Sequence, residues 1–93
     1  MYAIAFDLDQ ATLRDTYRNE SYNNAYADIR KFLEAKGFTR QQGSVYFGGA
    51  DMTAVKCVLA AQALAREFDW FKPSISDIRM LRIEEMNDLS EAL

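Results

Sequence analysis

FTRQQGSVYF, residues 38–47, decides how this chain folds. Phe38–Gln42 and Ser44–Phe47 flank Gly43, so the segment reads as two strands joined by a tight turn, or as one strand kinked at a bulge. Gly48 and Gly49 close the second run. Strands in direct succession pair antiparallel, because a parallel partner needs a crossover of a dozen or more residues.

A helical pattern stands on either side of this pair. Before it, Tyr22, Ala25, Tyr26, Ile29, Phe32 and Leu33 recur at helical spacing, with Asn19 or Ser21 as N-cap and Gly37 as the stop. After it, Asp51 reads as the cap of a helix in which Met52, Val55, Val58, Leu59 and Ala63 share a face, and AAQALA favours helix strongly. The two ends of the chain read as strands. Tyr2, Ile4, Phe6 and Leu8 alternate with Ala3, Ala5 and Asp7, and Ile75–Glu84 is rich in β-branched and apolar residues. In the second of these the alternation slips. Ile78 and Met80 share one face while Leu81 and Ile83 take the other, which calls for a bulge or for cover on both faces after residue 80. Between the elements, Asp9–Asn19 is polar and aperiodic and reads as a loop with Leu13 as its one buried anchor. Trp70, Phe71 and Pro73 make an aromatic-filled turn.

The order β-α-β-β-α-β predicts an α+β fold, a single ferredoxin-like domain over residues 1–93 with two helices on one face of an antiparallel sheet. The other face is left open, and in so small a chain a second copy is the economical cover, so the sheet is expected to form a homodimer.

Composition narrows the function. The 93 residues are 49% hydrophobic with one proline, enough apolar surface for a packed core. No apolar run approaches the ~18 residues that span a bilayer, and a lone Cys57 in an apolar helix reads as core, so no membrane and a reducing cytoplasm are expected. Histidine is absent, which leaves acid–base chemistry to carboxylates. The net charge of −3 is uneven: residues 1–82 carry all 11 Lys and Arg against 10 acids, and Glu84, Glu85, Asp88 and Glu91 make the tail acidic. A near-neutral body permits contact with nucleic acid.

FDLDQATL superficially matches the Asp-x-Asp nucleophile of the haloacid dehalogenase phosphotransferases. That pattern continues Gly-Thr-Leu directly, whereas Gln10 and Ala11 intervene before Thr12 here, and the parallel sheet it needs does not fit 93 residues with a β-β turn. By spacing alone Asp7 reads as a turn acceptor, Asp77 and Arg79 as a surface ion pair, and Ser44 as a turn residue. Arg14, Arg18, Arg40, Lys72 and Arg79 are candidate phosphate ligands, and equally a solvated surface. The tyrosines at 2, 17, 22, 26 and 46 are candidates to stack bases, of which Tyr22 and Tyr26 read as core.

MYAIAFDL at the start, QGSVY at Gln42–Tyr46, and WF followed by SISDIR between Trp70 and Arg79 together resemble the virulence-associated protein D family, in order and spacing along nearly the whole chain. The resemblance implies a ferredoxin-like dimer related to small CRISPR-associated nucleases, and endoribonuclease activity on single-stranded RNA or mRNA, in some members as the toxin of a toxin–antitoxin pair. It implies catalytic roles for Asp7, Ser44 and Asp77 and a substrate-binding role for Leu13; Arg14, Arg40 and Arg79 are the basic residues expected beside them as substrate contacts. The chain departs from the family pattern at Ser76, where Arg is usual, at Met80–Leu81, where Ala-Phe is usual, and in the tail EEMNDLS, which lacks the usual aromatics.

Two mechanisms follow from that resemblance. Two carboxylates brought together by a two-fold repel, which favours keeping a proton between them; such a pair takes the proton of the ribose 2′-OH while an arginine steadies the phosphate. Alternatively Mg²⁺ or Mn²⁺, with Asp7 as ligand, activates water. The rival from another class is a non-catalytic ferredoxin-like module that binds RNA or protein.

Overall fold

A computed structural model describes residues 1–17 and 22–93. Its elements are β1 (Tyr2–Leu8), α1 (Gln10–Thr16), α2 (Asn23–Ala35), β2 (Phe38–Gln42), β3 (Val45–Gly48), α3 (Ala54–Glu67), α4 (Phe71–Ser74) and β4 (Ile75–Arg82), with a 3-10 turn at Ser90–Ala92. One four-stranded antiparallel sheet runs β2-β3-β1-β4, the α+β, ferredoxin-like arrangement the element order predicts. The decisive segment contains both devices its sequence offered. β2 and β3 form a hairpin turning at Gly43 and Ser44, and the register shifts between Arg40 and Gln42. No helix is long and apolar enough to cross a membrane, among the described residues.

β1 is the spine. Its even positions face the helices, where Ile4, Phe6 and Leu8 join Tyr46, Phe38, Ile29 and Leu33 in the core. Its odd positions face away. Ala3 lies level with Phe47 on one neighbour and Leu81 on the other, and is fully buried although no helix covers that side. The larger side chains close over the small one. An aromatic group packs the end of the sheet where Asp7 emerges: Phe6 stacks with Tyr46 at 6.1 Å and meets Phe71 edge-on at 5.9 Å, and Tyr17 meets Trp70 edge-on at 5.1 Å.

Several local expectations are corrected. Gln10–Thr16, read as loop, is a short helix. One buried residue in seven leaves no period to see, and the helix is held by Leu13, fully buried, and by the Thr12 hydroxyl donating to Asp9 at 2.5 Å. Trp70–Pro73 is not only a turn, since Phe71–Ser74 is helical. α3 is capped by Thr53, whose hydroxyl accepts from the Lys56 amide at 3.1 Å, and not by Asp51. Its buried line is Cys57, Ala60 and Leu64, while Val55, Val58 and Leu59 are exposed. Small residues let the helix approach the sheet, and the bulkier aliphatics are left outside. Cys57 is core as expected, and burial pushes its thiol pKa up, which keeps it protonated and unreactive. On α2 the buried line is Ala25, Ile29 and Leu33, with Tyr22 and Tyr26 packed at its margin. Gly37, at φ +98°, ends the helix run as expected; Asn19, Ser21 and Arg18 lie outside the described residues.

β4 is an edge strand, exposed along nearly its whole length. Its bulge falls at the start and not after residue 80: Asp7 pairs with Asp77 but Leu8 with Ile75, so Ser76 is the extra residue. From Asp77 to Arg82 the register is continuous.

Close approach is tightest at Gly48. A Cβ there falls 2.5 Å from Cγ and 2.7 Å from Cβ of Met52, and 3.1 Å from the Tyr2 carbonyl. Gly48→Ala is therefore expected to destabilise the fold by about 1–3 kcal/mol, read as a lower urea midpoint at unchanged slope. An unchanged midpoint would mean that Met52 yields freely.

Candidate active site

The bulge at Ser76 sets the site. An extra residue at the start of β4 turns the Ser76 hydroxyl onto the Asp7 carbonyl, to which it donates at 3.1 Å, and this ties the end of β1 to β4. Asp7 and Asp77 are direct cross-strand partners, so their side chains leave the same face of the sheet. Arg79, two residues along that face, donates from Nε to both oxygens of Asp77 at 3.2 Å. The Asp77 carboxylate raises the Arg79 pKa, by hydrogen bond first and by charge second. Both partners are largely in solvent, so the pair adds little to stability. It orients a cation diagonally across from Asp7, at a spacing a long side chain covers. Asp7, Asp77 and Arg79 form one exposed group at the end of the open face.

Ser44 and Arg40 are elsewhere. Ser44 lies in the hairpin turn and not at the start of β3, and its carbonyl accepts from the Phe6 amide at 3.1 Å, one residue before Asp7. Its side chain lines a cavity on the helix side, together with Arg40, Tyr26, Arg30 and Tyr46. Arg40 donates from Nε to the Gly43 carbonyl at 3.1 Å. Burial pushes the Tyr46 phenol pKa up, with Arg40 and Arg30 opposing that shift. The two groups thus occupy opposite faces at one end of the sheet.

Leu13 and Arg14 belong to neither group. Leu13 has no solvent exposure and packs α1 onto the core. The Arg14 guanidinium sits 5.0 Å from the ring centroid of Tyr22, whose hydrogen bonding and charge raise its pKa. Lys72 borders a separate apolar depression with Arg66 and Ile78.

The carboxylates also bound what a cation would find. Among the described residues no three His, Cys, Asp or Glu side chains converge. Asp7 and Asp77 make a pair, and a pair fits Mg²⁺, which is commonly held through one or two carboxylates, waters and substrate phosphate.

Ser76, Arg30 and Tyr26 were missed as site residues. Tyr26 and Arg30 stand four apart on α2, a spacing that puts both on one face, but only the tertiary fold shows that this face meets the hairpin.

Comparison with known proteins agrees with this topology and with the early resemblance. The family model for "CRISPR associated protein Cas2" matches residues 1–90. Endoribonuclease VapD 2 of Riemerella anatipestifer is 50% identical over 93 residues, covering 100% of this chain and 99% of the relative. Endoribonuclease VapD homolog of Helicobacter pylori is 50% identical over 93 residues, covering 100% and 96%. Endoribonuclease VapD of Haemophilus influenzae is 35% identical over 94 residues, covering 98% and 96%. With matches that run the length of both partners, and a ferredoxin-like sheet carrying its carboxylates at one end, the chain belongs to the CRISPR associated protein Cas2 family, alongside the endoribonucleases named VapD.

Proposed function

We propose that this protein is an endoribonuclease of single-stranded RNA or mRNA, acting as a homodimer whose two Asp7 carboxylates approach the scissile phosphate. One observation carries the reading: the open face grades from an apolar end to a charged end. Phe47, Ala3 and Leu81 lie level across three strands, Val45, Ala5 and Arg79 come next, and Asp7 and Asp77 finish the face. A second copy seated on the apolar end leaves the carboxylates at the margin of the interface, open to a strand of RNA. Asp7 then takes the 2′-OH proton as the 2′-oxygen bonds to phosphorus, and Arg79, positioned by Asp77, steadies the charge on the phosphorane. The bond to the 5′-oxygen breaks as that oxygen receives a proton from the carboxyl pair, leaving a 2′,3′-cyclic phosphate and a 5′-hydroxyl. Ser44 acts from the hairpin, and Leu13 acts through packing. Where a cation takes part, Asp7 and Asp77 are the residues to hold Mg²⁺ or Mn²⁺, which supplies Lewis-acid charge at the phosphate.

Cleavage of end-labelled RNA by the purified chain, with and without chelator, tests the activity. RNA that stays intact while still being retained by the protein would favour the non-catalytic binding module instead. We place the work in the cytoplasm, and a toxin role would add a protein antitoxin as partner.

The dimer has its own test. Leu81 is 43% exposed at the apolar end of the face. Leu81→Asp puts a carboxylate opposite its own copy, and sedimentation should show a folded single subunit at concentrations where the parent is paired, with cleavage falling by about 10-fold or more as the sites separate. A parent chain that sediments as one subunit and still cuts RNA would end this reading.

A further inference from the structure

The cavity between α2 and the β2–β3 hairpin is not used by the chemistry at Asp7, and its lining is unusual. It measures about 290 Å³ and is walled by Tyr26, Arg30, Arg40, Ser44 and Tyr46. That set has two guanidiniums, three hydroxyls and no carboxylate. Arg40 spends one donor, its Nε, on the Gly43 carbonyl at 3.1 Å, which fixes the side chain and leaves both Nη groups without a partner among the described residues. Arg30 spends Nε on Glu34 at 3.3 Å, a half-exposed pair that yields readily to a stronger anion. The Tyr26 hydroxyl accepts from Gln10 Nε2 at 2.7 Å, so its own proton is free to point elsewhere. Tyr46 is 2% exposed and lines the same cavity as Arg30 and Arg40; burial raises its phenol pKa, the two cations oppose that shift, and Glu34, the partner of Arg30, adds to it.

Two guanidiniums and three hydroxyls lining one cavity suit a phosphate, and the two tyrosines add an apolar wall that inorganic phosphate does not need. The volume is at the small end of ligand sites, roughly 300 Å³, suited to one nucleotide and not to two. The cavity opens on the helix side, so a partner on the open face leaves it free. It is also mechanically joined to the active site, since Ser44 accepts from the Phe6 amide one residue before Asp7.

We propose that this cavity is a subsite for a single nucleotide of the RNA strand, around the end of the sheet from the one cut at Asp7, with its phosphate held by Arg30 and Arg40 and its sugar or base against Tyr26 and Tyr46. The assignment rests on the RNA-cutting reading for its place in the strand, but not for its ligand chemistry. It makes Ser44 and Arg40 substrate-positioning residues that hold the strand around the end of the sheet.

Two measurements on the full chain test it. The first is cleavage by Arg30→Gln, a surface substitution that leaves the core alone. KM for a short RNA should rise about tenfold with kcat within about twofold, and the salt slope of binding should fall by about one. The second is a titration of the chain with nucleoside monophosphates, followed by amide shifts. Saturable shifts at Gly43 and Ser44 that Arg30→Gln abolishes support the subsite, and they do so even if the chain cuts no RNA, in which case only the proposed activity fails. Absent or scattered shifts together with an unchanged KM overturn it. Inorganic phosphate binding as tightly as the nucleotides overturns the assignment to a nucleotide.

Discussion

Replacing Asp7 by Asn should lower RNA cleavage by about 10²- to 10⁴-fold, the range that general acid–base groups contribute, while leaving the fold as stable as before or slightly more so. The second half of that expectation comes from the sheet. Asp7 and Asp77 are direct cross-strand partners, and like charges in that relation oppose pairing. Arg79 relieves Asp77 through two contacts at 3.2 Å and, among the described residues, no comparable bond reaches the Asp7 carboxylate, which is exposed. An amide at position 7 removes the repulsion and keeps the shape. A catalytic group held in an uncomfortable place shows this pattern of lost activity with gained stability, whereas a turn acceptor would lose stability and keep activity. Cleavage rates and melting curves on the same preparation separate the two. Persistent cleavage by Asp7→Asn at the parent rate would remove Asp7 from the mechanism.

Leu13→Ala should destabilise the chain by about 2–5 kcal/mol, the cost of a buried leucine whose cavity cannot collapse, and lower Tm by roughly 10 °C or more in a domain of this size. Leu13 is fully buried and is the only buried residue within α1. The rest of that helix is bound by side-chain hydrogen bonds near its surface, Thr12 to Asp9 at 2.5 Å and Thr16 to the Thr12 carbonyl at 2.8 Å. The resemblance led us to expect Leu13 near the substrate. Its position instead makes activity follow stability: cleavage by Leu13→Ala should recover on cooling, and Leu13→Met, which conserves volume, should keep both. A variant that melts with the parent but binds RNA poorly would restore a direct contact.

Much of this molecule is legible in short stretches. The alternation of Tyr2 to Leu8 assigns the core face of β1 and puts Asp7 on the other one, because side chains in a strand alternate whatever surrounds it. Gly43 between two strand-like runs offers a hairpin or a kinked strand, of which the structure has the hairpin, and the spacing of Ala25, Ile29 and Leu33 makes α2 amphipathic. α3 misled for a physical reason. Val55, Val58 and Leu59 are more hydrophobic than Cys57 and Ala60, but depth against a sheet is decided by how closely the backbones approach, and small side chains win there. α1 was invisible because seven residues with one buried position carry no period.

The candidate site divides along the same line. Its residue types were readable: with no histidine, proton transfer falls to a carboxylate, and Asp7 stands where a strand ends. Its grouping was not. Whether Asp7 meets Asp77 or Ser44 depends on strand register and on which face each side chain leaves, and the β1–β4 register, unbroken from Arg82 to Asp77, puts Asp77 beside Asp7. The chain order determined the sheet, because local periodicity and turn chemistry are short-range. The packing of β4 and the hairpin against the end of β1 decided that Asp77 and Arg79 stand with Asp7 while Ser44 and Arg40 face Arg30, because contacts between residues so far apart exist only once the sheet has closed.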